Sequence, residues 1–259
     1  LNTELKNKSI YIMKLNNSNN RNPLSLELIN TLQKEFAYIK KSKIIKVVII
    51  KSTGPSFCSG HDLKEVKKYS LYKEKLDKLF NACSKMMLEI RSLPQPVIAC
   101  VDGIAAAAGC QLVASCDLAI ASKESRFQTP GVNIGLFCST PMVAISRKVQ
   151  TKDILFMLLT GDALEASKAK EIGLINEVVI KKDLEKIVTK IATKIASRST
   201  QSIKIGKIAF YKQLEMPLEK AYAYTSKVMT KNMLERDAKE GVNAFIEKRT
   251  PVWDKKSDK

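Results

Sequence analysis

The chain has 259 residues and a mass of 28.9 kDa, with 45% hydrophobic residues and a mean hydropathy of -0.12. This composition excludes an intrinsically disordered chain, and the most apolar stretch, residues 104–114, is shorter than the about 20 residues of a membrane span. The net charge of +18 fits an anionic partner, but lysines spread from Lys6 to Lys259 favour a solvated basic surface over one binding stripe.

The first half of the chain alternates between predicted strands and helices. Strands are expected at residues 10–15, 47–50, 97–101, 118–121 and 126–128. Helices are expected after Ser25, over residues 71–93 before Pro94, and over residues 109–115. Strands separated by helices in this order predict parallel pairing with crossover connections.

The second half is predicted to be mainly helical. One strand is expected at residues 175–180, followed by helices at residues 183–197, 200–214, 218–232 and 237–248. The fold class is therefore α/β, with a core over residues 1–200 and a helical region over residues 201–259 that packs on the core or on a neighbouring subunit.

Two glycine-bearing loops are candidates for chemistry, at residues 56–63 and 102–111. Neither contains a dinucleotide fingerprint, a phosphate loop, a zinc motif or a nucleophile elbow. The small residues from Ala105 to Gly109 would let a ligand approach backbone N–H groups at a helix start, where an anion is favoured. Tight packing between a helix and a sheet is the more frequent explanation for such a run of alanines.

The six cysteines form no closely spaced pair, and several lie within apolar segments. This pattern predicts free, buried thiols in a reducing compartment and indicates neither disulfides nor a metal. Cys138 would act as a nucleophile only with a lowered pKa. Met86, Met87 and Ile90 are expected in the core, and Ser139 and Thr140 before Pro141 are expected to cap a helix.

Three motifs in this order resemble the crotonase (enoyl-CoA hydratase/isomerase) superfamily. They are Phe57-x-x-Gly-x-Asp-Leu-Lys64, Asp102-Gly-x-Ala-x-x-x-Gly-Cys-x-Leu-x-x-x-Cys-Asp-Leu-Ala119, and Phe127-x-x-Pro130. Their spacing matches over about residues 10–180. Residues 127–141, 206–213 and 248–253 are most similar to one branch of that superfamily.

The resemblance implies a spiral of ββα turns, with a helical C-terminal trimerisation region and trimers stacked into hexamers. It implies a coenzyme A thioester as substrate without another cofactor, its carbonyl held by the backbone N–H groups of His61 and Ala108. The substrate would also be bound by Ser59, Asp62, Leu63 and Lys64. His61 would thus act through its main chain rather than as a general base.

The sequence departs from the family at its catalytic positions. Hydratases of the superfamily add water with two glutamates, and this chain has Gln111 and Gly131 in their places. The aspartate of other relatives would fall near Ser139, which is only a weak catalytic candidate. Since neither Gln nor Gly exchanges a proton near neutral pH, ordinary hydration is expected to be very weak.

Three functions remain open at this point. The first is an acyl-CoA enzyme with weak or altered activity, such as slow hydration, isomerisation or thioester hydrolysis in fatty acid metabolism. The second is a non-catalytic acyl-CoA binder or sensor. The third is RNA binding, for which Lys34, Lys40 and Lys41 are the candidates, but nucleic acid and membrane partners are not favoured. The expected compartment is a bacterial cytoplasm or a mitochondrial matrix.

Overall fold

The computed structural model describes residues 1–253, which form two β-sheets surrounded by α-helices. The strands are β1 (Asn2–Lys6), β2 (Ile10–Leu15), β3 (Val47–Ser52), β4 (Ser56–Cys58), β5 (Val97–Val101), β6 (Ile104–Ala106), β7 (Leu118–Ser122), β8 (Arg126–Gln128), β9 (Leu164–Glu165) and β10 (Glu177–Val179). The helices are α1 (Leu26–Lys41), α2 (Leu63–Tyr69), α3 (Lys73–Ser92), α4 (Ala108–Ser115), α5 (Ser139–Ile145), α6 (Thr151–Thr160), α7 (Ala166–Glu171), α8 (Lys181–Ala196), α9 (Thr200–Gln213), α10 (Leu218–Leu234) and α11 (Arg236–Ile246).

The chain winds as a spiral between the two sheets. The larger sheet has the order β1-β2-β3-β5-β7-β10 and the smaller one β4-β6-β8-β9. Successive turns therefore place one strand in each sheet, as in the pairs β3 and β4, β5 and β6, and β7 and β8. Strands of successive turns pair in parallel, and among the strands formed by residues 1–253 only the β1–β2 and β8–β9 pairs are antiparallel.

The core fills both faces of the larger sheet, because its central strands are apolar on both sides. One face packs with α1, α3 and α4 into a large cluster that contains Phe36, Met86, Met87, Ile90 and Phe127. The other face packs against α8 through a smaller cluster. Its members are Ile10, Ile12, Val47, Ile49, Ile98, Cys100, Ile120, Leu184, Val188 and Ala192.

A buried ion pair fastens helix α9 to the core. Lys207 Nζ lies 2.6 Å from Asp117 Oδ2, and the two side chains are only 7% and 15% exposed. Asp117 also accepts hydrogen bonds from the Val97 N–H and the Tyr211 hydroxyl, at 2.6 and 2.8 Å. Because burial of two charges is tolerated only with close pairing and further hydrogen bonds, this cluster fixes where the C-terminal helices begin.

Most predicted elements are confirmed, with differences at their ends. Ser25 caps α1 by accepting a hydrogen bond from the Leu28 N–H, and the four C-terminal helices are present. The helix expected from residue 71 begins at Lys73, since α2 and a turn precede it. Strands β1, β4, β6 and β9 were missed, because they have two to five residues and lack a clear alternating pattern.

None of the helices formed by residues 1–253 is both long enough and apolar enough to span a membrane. The C-terminal helices instead carry exposed apolar side chains, such as Leu218, Met229 and Phe245. Among the apolar residues of α9, α10 and α11, only one alanine in each helix is buried in the protomer.

Candidate functional site

A mainly apolar cavity of about 330 Å³ lies where the first two spiral turns meet helix α5. It takes walls from the loop after β4, from the start of α4, and from the segment between β8 and α5. The lining residues are Ser59, His61, Leu63, Val66, Phe80, Ala107, Ala108, Pro130, Gly131, Ile134, Leu136, Phe137, Cys138, Ser139, Thr140 and Pro141. A concave, mainly apolar cavity with a few polar groups is the usual form of a small-molecule site.

The two glycine-bearing loops are in direct contact beside this cavity. A Cβ on Gly109 would lie 2.1 Å from the Cys58 carbonyl oxygen, so only glycine allows the start of α4 to approach β4 this closely. Gly60 has a φ of +93°, and a Cβ there would lie 3.0 Å from the Ala106 oxygen and 3.3 Å from the Ala108 nitrogen. The backbone of each loop is thus held against the other.

Helix α4 begins at the cavity from a strained residue. Ala107 has φ 48° and ψ -117°, a conformation that L-residues rarely adopt and that the surroundings must hold. Its N–H donates to the Gln128 carbonyl at 2.9 Å, and its carbonyl accepts from the Gln111 N–H at 3.0 Å. The next residue, Ala108, is the first of the helix, so its N–H has no partner within the helix.

His61 lines the cavity with a partly buried ring. Its Nδ1 lies 3.3 Å from the Leu24 carbonyl oxygen, and its ring packs edge-on against Phe80 with centroids 5.2 Å apart. Burial lowers the pKa of His61, while the Leu24 carbonyl and Glu65 oppose that effect. The imidazole is therefore neutral at neutral pH, with Nδ1–H donating to Leu24, and Nε2 has no hydrogen-bond partner among residues 1–253.

The three predicted binding residues after His61 lie in different positions relative to the cavity. Asp62 caps α2, since its carboxylate accepts hydrogen bonds from the Lys64 and Glu65 N–H groups at 2.9 and 3.4 Å. Leu63 lines the cavity and is 57% exposed. Lys64 is exposed in the first turn of α2 and is not among the lining residues, while Ser59 is one of them.

Gly131 lines the cavity, but the space for a side chain there is closed. A Cβ on Gly131 would lie 2.7 Å from the Leu136 oxygen and 3.0 Å from Cys138 Sγ. The Leu136 N–H donates to the Gly131 carbonyl at 2.9 Å, which folds the segment back on itself. The Cys138 sulfur therefore occupies the direction in which a side chain at position 131 would project.

Gln111 is buried one turn into α4 and does not line the cavity. Its Oε1 is buried without a hydrogen-bond partner among the described residues. Ser139 does line the cavity, but the expectation that it caps a helix is wrong. It is the first residue of α5 rather than the N-cap, and its hydroxyl donates to the Phe137 carbonyl at 3.4 Å.

All six cysteines are buried, as predicted. Burial raises the pKa of Cys58, Cys83, Cys100 and Cys110 to about 12. Burial also raises the pKa of Cys138, opposed by a hydrogen bond from the Gly131 backbone. Cys138 therefore lacks the lowered pKa that, from the sequence, we expected a nucleophilic role to require.

Cys138 is expected to be alkylated first among the six thiols, because it alone lines the cavity. Roughly 10⁻⁴ of a thiol with a pKa near 12 is ionised at pH 8, and the fully buried cysteines are also out of reach of the reagent, so they should react more slowly than Cys138. Iodoacetamide labelling followed by peptide mass spectrometry measures the order. Equal labelling rates for all six thiols would show that Cys138 is not reached through the cavity.

Several cavity residues were not found from the sequence, and Phe80, Val66 and Ile134 are examples. Phe80 and Val66 lie on helices as apolar residues, with nothing in the pattern to separate cavity wall from core. Ile134 lies in the short 3₁₀ helix at Pro130–Ile134, and its neighbours Leu136 and Phe137 follow in the loop. Ile134, Leu136 and Phe137 could have been found only from their position in the sequence, which is next to Gly131.

The sequence profile of the enoyl-CoA hydratase/isomerase family matches residues 5–256. Human enoyl-CoA hydratase domain-containing protein 3, mitochondrial, is 49% identical over 239 residues, covering 92% of this chain and 78% of the relative. The Xenopus laevis protein of the same name is 47% identical over 244 residues, covering 92% of this chain and 81% of the relative. These relatives belong to the branch that residues 127–141, 206–213 and 248–253 resemble; Asp254 and the residues after it lie outside the described chain.

Two solved structures have nearly the same fold. The crystal structure of Mycobacterium smegmatis enoyl-CoA hydratase has a TM-score of 0.95 and 42% identity, with 97% of both chains covered. The crystal structure of human enoyl-CoA hydratase domain-containing protein 3 has a TM-score of 0.94 and 47% identity, covering 97% of this chain and 99% of the other. The predicted spiral fold and its helical C-terminal region are thereby confirmed.

Proposed function

This chain belongs to the enoyl-CoA hydratase/isomerase family, and from that premise we propose that it binds acyl-CoA thioesters in the apolar cavity. The thioester carbonyl would accept hydrogen bonds from the backbone N–H groups of His61 and Ala108. One observation carries the proposal: Gly60 and Gly109 hold the two loops together so that both residues line one cavity. Two preorganised donors at a carbonyl form an oxyanion hole.

The hydrogen bonds of the described residues support this assignment. Within residues 1–253, neither the His61 N–H nor the Ala108 N–H donates to another group. The Ala108 N–H also lies at the positive end of α4, where developing negative charge on an oxygen is stabilised. Both donors are thus available to a ligand without breaking an existing hydrogen bond.

We assign the acyl chain to the apolar side of the cavity, between Phe80, Ile134 and Leu136. The CoA moiety would leave past the exposed side chains of Leu63 and Lys64, and the positive charge of Lys64 suits its phosphates. Ser59 would line the same exit, and Asp62 would act indirectly by capping α2. The substrate class is an acyl-CoA of lipid metabolism, with no further cofactor.

The chemistry of the site favours a binder or an enzyme other than a hydratase. Gln111 and Gly131 provide no acid–base pair, and Gly131 has no space for a side chain. The backbone donors can polarise the thioester carbonyl without an acid–base pair. Such polarisation is sufficient for binding, slow isomerisation or slow thioester hydrolysis. We further propose a homotrimer, or a hexamer of two trimers, in which the exposed apolar faces of α10 and α11 are covered. The compartment would be the mitochondrial matrix if the source is eukaryotic.

Calorimetry with acetoacetyl-CoA tests the proposal. We expect saturable binding that is tighter than binding of CoA alone. Gly60→Ala should weaken it about tenfold or more, because a Cβ at φ +93° pushes on the Ala106 oxygen and moves the Ala108 N–H.

Gly206→Ala is the matched control for this substitution. Gly206 lies within α9, and a Cβ there meets nothing within 4 Å, so acetoacetyl-CoA affinity should be unchanged. If the original protein bound acetoacetyl-CoA no better than CoA alone, the proposed carbonyl site would be wrong.

A further inference from the structure

A second cavity, of about 360 Å³, lies where four helices end. Arg91 is in the last turn of α3 and Ser115 is the last residue of α4, while Arg147 and Lys148 follow α5 and Glu215 follows α9. All of these residues, together with Tyr211, line the space, which we call the basic cavity. Helix α4 thus begins at the apolar cavity and ends at the basic cavity. Its eight residues make it about 12 Å long, which is the approximate separation of the two cavities.

The basic cavity contains more positive charge than the protein compensates. Arg91 and Arg147 share one carboxylate oxygen, Glu215 Oε1, at 3.3 and 3.9 Å. Lys148 makes no ion pair or hydrogen bond through its ammonium within residues 1–253, and its Nζ lies 5.6 Å from the centre of the Tyr211 ring. Three cations therefore face a single carboxylate.

Asp117, whose charge also acts on Lys148, does not correct this balance. Both of its oxygens are already bound, to Lys207 and the Val97 N–H on one side and to the Tyr211 hydroxyl on the other. The partial negative charge of the helix ends attracts the cations but does not compensate them fully. Burial lowers the pKa of Lys148, Asp117 opposes that effect and Arg91 adds to it, as expected for an ammonium without a close counterion.

We infer that the basic cavity is a binding site for a phosphate dianion, either free phosphate or the terminal phosphate of a small phosphorylated compound. Two uncompensated positive charges match the charge of the dianion, and guanidinium groups bind phosphate oxygens in pairs. The Ser115 hydroxyl donates to the Gln111 carbonyl at 2.7 Å and retains its capacity to accept from a protonated oxygen.

A neighbouring groove indicates where the rest of a larger ligand would lie. This groove shares Arg91 and Tyr211 with the basic cavity and is lined further by Lys40, Lys85, Lys204 and Lys212. Its acidic member is Glu89. The charge continues beyond the phosphate position, which favours a small molecule with more than one phosphate.

The test is calorimetry and ³¹P NMR with inorganic phosphate and pyrophosphate, at constant ionic strength and with saturating acetoacetyl-CoA present. We expect one phosphate per chain, with pyrophosphate binding more tightly. Lys148→Met should weaken phosphate binding about tenfold or more, since a charge-assisted hydrogen bond is lost. Arg147→Met is the second variant, because Arg147 is half exposed and its loss should leave folding intact.

Lys152→Met is the control, an exposed lysine on α6 outside both cavities. Acetoacetyl-CoA affinity should be the same in all variants, so failure of this inference is distinguishable from failure of the proposed acyl-CoA site. Equal phosphate affinity in the original protein and in Lys148→Met would overturn the inference. Displacement of phosphate by a short single-stranded RNA with a steep salt dependence would overturn it too, in favour of nucleic acid.

Discussion

Hydration of crotonyl-CoA by this protein is expected to be about 10⁴-fold or more slower than hydration by a relative with both glutamates, because each acid–base group contributes about 10² to 10⁴-fold. Binding of acetoacetyl-CoA should persist, since in the proposed site the thioester carbonyl is held by backbone donors. Loss of the enoyl absorbance measures the first quantity and calorimetry the second. A rate close to that of an ordinary hydratase would show that another acid–base pair acts in the cavity.

Placing glutamates at positions 111 and 131 should not produce hydratase activity. In Gln111→Glu/Gly131→Glu, the Cβ at position 131 would meet the Leu136 oxygen at 2.7 Å, and the carboxylate would project where Cys138 Sγ lies. Overpacking of this kind costs about 1–3 kcal/mol, so the segment before α5 should shift and acyl-CoA affinity should fall. Gln111→Glu alone is the control, because it introduces the buried carboxylate at unchanged side-chain volume and without a Cβ at position 131. A double variant that gained activity without loss of stability would show that the wall at Gly131 is not closed.

Replacing Asp117 with alanine is expected to lower the free energy of unfolding by about 3–5 kcal/mol, since it leaves Lys207 buried without its counterion. Small domains are stable by only about 5–15 kcal/mol, so the loss should be visible as a large shift of the urea midpoint. The Val97 N–H and Tyr211 hydroxyl lose an acceptor in the same variant.

The double variant Asp117→Ala/Lys207→Met separates charge from packing. It removes the unpaired ammonium, so part of the lost stability should return. If the single and double variants unfolded at the same urea concentration, the ion pair would not be the reason for the loss. Helix α9 would then be held to the core mainly by its apolar contacts.

The sequence predicted the larger elements because their patterns are strong. Periodic apolar residues defined α1 and α3, and runs of β-branched residues defined the central strands. The short strands β4 and β6 were not predicted, since their pairing depends on the approach of Gly103 to Pro55 across the spiral. The pairing of strands that are distant in the sequence depends on tertiary contacts, which the strand preference of single residues does not encode.

The sequence also predicted part of the candidate site, namely several of the residues that line the cavity. The family motifs led to His61, Ala108 and Gly131, and all three line one cavity. The motifs did not predict that Asp62 caps a helix, that Lys64 lies outside the cavity, or that Cys138 occupies the space beside Gly131. Those facts depend on distances between backbone segments that a motif does not contain.

The spiral winding has a consequence for how the site is made during synthesis. The cavity walls run from Ser59 to Pro141, and its key contacts join distant residues, such as Leu24 with Gly60, Cys58 with Gly109, and Ala107 with Gln128. Contacts between residues this distant in the sequence slow folding, because each turn of the spiral is stabilised only after the next turn has formed. A nascent chain that ends before α5 has no complete cavity, so ligand cannot assist the early folding steps. Until then the apolar side chains of β4 and β6 lack their packing partners, and exposed apolar surface of this kind is prone to aggregation.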